Sequence, residues 1–186
     1  MKNMQPRLRK FALTAHVTSS VGWLGAVAVS LALAVACLST RDPELVRAAY
    51  LTMKLIGWVV LVPLSLASLL TGLVQSLGTT WGLFRHYWVL VKLLMNLFAS
   101  IVLLMYMQTL GYMADAAADT TLSSAGLLEL RSPSPVLHSA GALLLLIVAV
   151  TLSVYKPRGL TRYGRRKQQE TDSSFPSVDA QTARTR

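Results

Sequence analysis

Residues 11–40 read FALTAHVTSSVGWLGAVAVSLALAVACLST, a stretch with no charged side chain. A surface helix of a soluble protein carries a polar or charged stripe within such a length. This segment has none, and about 20 mainly apolar residues already cross a hydrocarbon core of roughly 30 Å. Three further charge-free windows follow, at 55–84, 93–114 and 132–155. Backbone groups in lipid must find partners within their own segment, so each window is expected to be a helix. The fold class is therefore all-α, a four-helix transmembrane bundle. The spans fall at about 11–38, 50–77, 87–110 and 136–155. They make one membrane domain over 11–155, between a basic N-terminal segment (1–10) and a basic tail (156–186).

Composition agrees. Of the 186 residues, 53% are hydrophobic and 14% charged, against about 25% charged in an average soluble domain. The formal net charge of +10 suggests nucleic acid, but its distribution excludes that partner. Lys2, Arg7, Arg9 and Lys10 precede the first span, and Arg85 sits in the second loop. Lys156, Arg158, Arg162, Arg165, Arg166 and Lys167 follow the fourth. The other loops mix Arg41, Arg47 and Arg131 with Asp42, Glu44, Asp115, Asp119 and Glu129. This asymmetry predicts both termini in the cytoplasm, N-in and C-in, in the cell (plasma) membrane. The lipid bilayer is the expected partner, with a homo-oligomer or a larger membrane complex as further options.

Local signals place the boundaries. Asp42, Pro43 and Glu44 carry the cap, first-turn proline and acidic charge of a helix start. Pro63 should kink the second span, and Gly78-Thr79-Thr80 ends it. Trp81 to Trp88 mixes aromatics and cations as a headgroup boundary does. Loop 111–135 has room for a short amphipathic helix. Polar, apolar-poor residues 168–186 should be disordered. Cys37, the only cysteine, permits no intrachain disulfide. Ala34-Val35-Ala36-Cys37 faintly resembles a cleavage site, but the preceding apolar run exceeds the usual h-region, so the segment is expected to remain as a span.

The informative residues are the polar ones inside the spans. A Lys at the centre of a membrane helix costs about 2.5–3.5 kcal/mol on insertion scales, and an intramembrane ionisable group points to a functional cavity. Lys92 lies about five residues inside the third span, and His16 about as deep in the first, entering from the same side. Gln75 closes the second span near that level. His16, Ser20 and Trp23 share a helix face by spacing, as do Ser65, Ser68, Gly72 and Gln75, and as do Lys92 and Asn96. Snorkelling of Lys92 and simple packing of His16 are the structural alternative. A second layer of Cys37, Met53, Met105, Met107 and His138 falls toward the other side. Its soft ligands would suit copper, although Met in an apolar helix usually fills space. No nucleophile triad, P-loop, HExxH or CxxC is present.

These residues also carry a resemblance. Leu13-Thr14-Ala15-His16 followed by Gly22-Trp23-Leu24-Gly25 resembles the first-helix pattern of the copper-resistance protein D-like membrane superfamily. Leu70-Thr71-Gly72-Leu73 and Trp88-Val89-Leu90-Val91-Lys92-Leu93 are similar to its second- and third-helix signatures. The superfamily includes the heme-containing membrane type of protoporphyrinogen oxidase and other bacterial four-helix proteins. The likeness covers roughly residues 11 to 110 and omits the third loop and tail. It implies a b-type heme or a related metal at His16, with Trp23 and Lys92 as further cofactor-binding positions. Trp23 would supply an apolar wall, Ser20 or Gln75 would orient the imidazole, and Lys92 would pair with a propionate. Helix rise sets His138 too far away in depth to be a second axial ligand. Three functions follow as expectations: a heme-binding membrane protein, a copper-handling or transport protein, and a non-catalytic assembly partner.

Overall fold

The computed structural model describes residues 5–78, 86–155, 159, 161, 162, 164–166 and 169. Lys2, Arg85, Lys156, Arg158 and Lys167, the segment 79–85 and the tail from 170 onward lie outside the described residues, so the expectations placed on them do too.

The elements are α1 (Pro6–Ser39), α2 (Pro43–Ile56), a π-helical turn (Gly57–Leu61), α3 (Val62–Gly78), α4 (Tyr87–Ala118), α5 (Ser124–Glu129) and α6 (Ser134–Tyr155), with no strand among the described residues. Four helical runs are long and apolar enough to cross a membrane: Pro6–Ser39, Pro43–Leu77, Tyr87–Ala118 and Ser124–Tyr155. The chain is an all-α four-helix bundle and a multi-pass membrane protein. Each span packs on the one before it, and α6 closes the ring against α1.

Elementary helix chemistry explains the second span. The Asp42 carboxylate accepts the Glu44 N–H at 3.0 Å, Pro43 takes the first helical position, and Glu44 faces the positive end of the helix dipole. Pro63 brings no N–H, and its ring presses on the carbonyl four residues back. The turn just before it takes up the misfit: the Val62 N–H bonds to the Gly57 carbonyl, five residues back. The irregularity expected at Pro63 thus occupies Gly57–Leu61. Glycine at 57 gives the Met107 side chain its place, because a Cβ would lie 2.5 Å from the Met107 sulfur on α4 and push it aside.

Two boundaries differ from expectation. The third span runs to Ala118 rather than 110. Ala114, Ala116, Ala117 and Ala118 are strong helix formers, and Ala114 and Ala117 are fully buried in a core that includes Val46, Tyr50 and Leu127. The first span starts at Pro6, so Arg7, Arg9 and Lys10 are helical. The short helix expected in the third loop is α5, started by the Ser123 hydroxyl accepting the Gly126 N–H.

At 1.5 Å per residue, α1 is about 50 Å long and overruns a hydrocarbon core. The two ends of the bundle consequently differ. At the cap end, α2, α5 and the ends of α1, α4 and α6 enclose Cys37, Val46, Tyr50, Ala114, Ala117 and Leu127. The Tyr50 hydroxyl donates to the Leu130 carbonyl at 2.8 Å, and Arg131 donates to the Thr40 carbonyl at 2.7 Å. Lys54 pairs with Asp115. The termini end has few buried residues and is held largely by polar side chains.

Candidate functional site

Near the termini end all four spans contribute to one polar layer. It begins with His16, whose partially buried ring packs flat against α3. A Cβ on Gly72 would lie 3.1 Å from its Cε1, so a larger residue there would require the ring to give by a few tenths of an ångström. Its Nδ1 is 3.1 Å from the Ser68 carbonyl and 3.1 Å from the Thr71 hydroxyl oxygen. The Thr71 hydroxyl donates its own proton to the Ala67 carbonyl at 2.6 Å, and a carbonyl only accepts. Nδ1 therefore carries the proton and shares it between two acceptors, which leaves Nε2 with the lone pair.

Ser68 is the junction of the layer. Its hydroxyl meets that of Ser20 at 2.9 Å and accepts from Asn96 at 3.1 Å. Gln75 donates to the Ala12 carbonyl at 2.9 Å, tying α3 to α1 again. Lys92 donates to the Ser153 hydroxyl on α6, and its ammonium stands 5.9 Å from the Trp88 ring centre. Lys92 is thus turned into the bundle. Among the described residues no carboxylate pairs with it; the ion pairs there are Arg47–Glu44 and Lys54–Asp115. The Asn96 side-chain oxygen and the Ser100 hydroxyl, one turn apart, are buried without a hydrogen-bond partner.

Two of the three cofactor-binding positions expected from sequence, His16 and Lys92, fall in this layer. Trp23 does not. Seven residues further along α1 it is buried with Val27, Leu61, Ala99 and Leu146, on the wall of an apolar cavity that His16 and Lys92 do not line. The imidazole Nδ1 meets Ser68 and Thr71, while the Ser20 hydroxyl meets Ser68 and Gln75 donates to the Ala12 carbonyl. Thr71 was legible only as part of the Leu-Thr-Gly-Leu motif. Ser153 carried no signal, since Ser on a lipid-crossing helix usually bonds its own backbone.

The soft-ligand layer assembles only in part. Cys37, Met53 and Met107 share the cap-end core. Met105 is 68% exposed on the outside of the bundle, and His138 stacks on Tyr106 at 3.9 Å. No group of three or more His, Cys, Asp or Glu that could hold a metal gathers among the described residues. In comparisons with known proteins, no family model, no curated protein and no solved structure matches this chain.

Proposed function

We propose that this chain is a plasma-membrane protein with both termini in the cytoplasm that binds heme b through the polar layer, as its resemblance to the copper-resistance protein D-like superfamily implies. The supporting observation is the pairing of a histidine whose Nε2 keeps its lone pair with an ammonium that meets no carboxylate among the described residues. A metal-binding imidazole normally gives its other N–H to a carbonyl or carboxylate, and His16 does so to Ser68. A buried cation needs an anionic partner, and the propionate edge of a heme is one. By the chemistry of the donors, the residues fit the group.

In this reading His16 would hold the heme iron through Nε2, kept in one tautomer by Ser68 and Thr71. Lys92 holds the acidic edge and Ser153 steadies the ammonium. Heme, when bound, supplies one-electron redox chemistry whose potential the protein sets by burial and hydrogen bonding. Copper handling through Cys37, Met53 and Met107 has less support, because Met105 and His138 do not join them.

The test is an absorbance spectrum of protein purified from heme-replete cells. A Soret band is expected in the parent and absent in His16→Ala. In Lys92→Ala the band should persist with affinity weakened about tenfold or more, the loss of one charge-assisted bond. A colourless parent, or full heme content in His16→Ala, overturns the proposal.

A further inference from the structure

The apolar cavity that excludes His16 has a chemistry of its own. Its volume is about 310 Å³, and all four spans line it. That volume is at the low end of the roughly 300–1,000 Å³ usual for small-molecule pockets. Along α6 the lining runs from Pro135 to Leu145, about 15 Å by helix rise. The space is therefore long and narrow. Trp23, Val27 and Leu61 wall its deeper part, and no charged residue lines it.

Its mouth opens sideways between α4 and α6, where Phe98, Leu137 and Gly141 are both lining and exposed. These residues sit on charge-free spans, so the opening faces lipid and admits what lipid dissolves. Gly141 marks the gate. Glycine in a membrane helix usually lets two backbones approach, yet a Cβ at 141 would meet nothing within 4 Å. Here the missing side chain leaves a gap and brings no helix closer.

The cap-end part of the cavity carries the polar groups. Tyr106 lines it, and its buried hydroxyl makes no well-formed hydrogen bond among the described residues, the Ser134 side chain on α6 being only a weak partner. A buried hydroxyl in that state is costly and calls for an acceptor. Stacked on it at 3.9 Å, with the rings 15° from parallel, is His138. The Nδ1 of His138 lies 2.9 Å from the Ser134 carbonyl, which can only accept. That nitrogen is therefore the protonated one, and Nε2 is left as an acceptor. A donor and an acceptor thus stand side by side at one end of a mostly apolar, uncharged slot, whose other polar side chains are Ser30 and Ser139.

We infer that this cavity binds a neutral membrane-soluble molecule, with a slender apolar chain and a carbonyl or hydroxyl head, entering between α4 and α6. The head lies at Tyr106 and His138, and the chain runs toward Trp23. A carbonyl would accept from Tyr106, and a hydroxyl would also donate to His138 Nε2. Isoprenoid quinones and acylglycerols share this chemistry. A phospholipid does not, because its phosphate would meet no cation here. The inference is independent of the heme proposal.

The experiment uses the full chain in nanodiscs, titrated with decylubiquinone and, separately, with monooleoylglycerol, and read by native mass spectrometry. Saturable binding of either probe is expected, and the one that binds names the source. Gly141→Phe should plug the mouth without a clash and weaken binding at least about tenfold, with the melting temperature unchanged. Tyr106→Phe should weaken it about tenfold, one hydrogen bond to a buried group. It keeps the ring, so it serves if Gly141→Phe does not fold. Binding of neither probe, or binding that ignores both substitutions, overturns the inference. The Soret band should be unchanged in both variants.

Discussion

The cap end and the termini end of this bundle use different physics. At the cap end, small and apolar side chains pack as they do inside a soluble protein. Val46, Tyr50, Ala114 and Ala117 are fully buried, and Arg131 and Tyr50 clasp carbonyls from distant segments. The helices there carry Arg47, Lys54 and Asp115, which favour water nearby, and with water near, burial of apolar area is a driving force. At the termini end, Leu13, Val17, Leu70 and Val74 face outward, where lipid is as apolar as the helix and gives no such drive. Contacts across the helices there run through His16, Ser20, Ser68 and Asn96. One end is therefore held mainly by packing, with a few hydrogen bonds at its edge, and the other mainly by hydrogen bonds.

The sharpest way to break that contrast is at Tyr50. Tyr50→Ala should cost about 3–5 kcal/mol, the usual range for truncating a buried aromatic, and it also orphans the Leu130 carbonyl. Unfolding monitored by helix loss in mixed micelles would measure it. Ser68→Ala at the other end should cost far less, about 0.6 kcal/mol and at most about 1.7 kcal/mol, as hydrogen bonds between membrane helices do. Equal losses at the two positions would mean that the ends are not built differently.

The smallest effect concerns the turn after α4, and it also tests the orientation. Asp119 accepts from the Thr121 hydroxyl at 2.7 Å and N–H at 2.8 Å. These bonds hold its carboxyl below the ordinary 3.8. A depressed folded value means the contribution is present above the ordinary value and lost as pH falls through the lower one. In sealed right-side-out vesicles, added pepsin should reach the 119–123 turn and nick it faster as the outside pH drops below about 3.8. A turn cut only in inverted vesicles would reverse the topology.

Much of the fold was legible in the sequence, because an uninterrupted apolar window constrains a chain more than any propensity does. The α2 cap was legible for the same kind of reason: Asp42, Pro43 and Glu44 act within a single turn. The length of α4 was not. Gly111 looked like an end, and only packing of Ala114 and Ala117 against α2 and α5 carries the helix past it. In the site, depth along each helix could be counted from the charged flanks, which brought His16 and Lys92 to one level. Rotation between helices could not be counted. Spacing put Trp23 on the His16 face of α1, yet two turns of helix separate them and each meets a different neighbour. The Thr71 hydroxyl and the Ser153 partner of Lys92 depend on how far α3 and α6 are turned, which a single helix does not encode.

The π turn at Gly57–Leu61 has a consequence for the phase of the second span. An extra residue in one turn advances everything after it by about 100° around the axis. That offset lets Met53 and Gly57 point toward Met107 on α4 while Ser68 and Gly72 point toward His16 on α1. The span thus behaves as two helices joined out of step. Removing a single residue, such as the outward-facing Val59, would take out the added residue and bring the halves into step, with Pro63 still bending the helix. The chain could then keep its packed cap or its seat for His16, but not both.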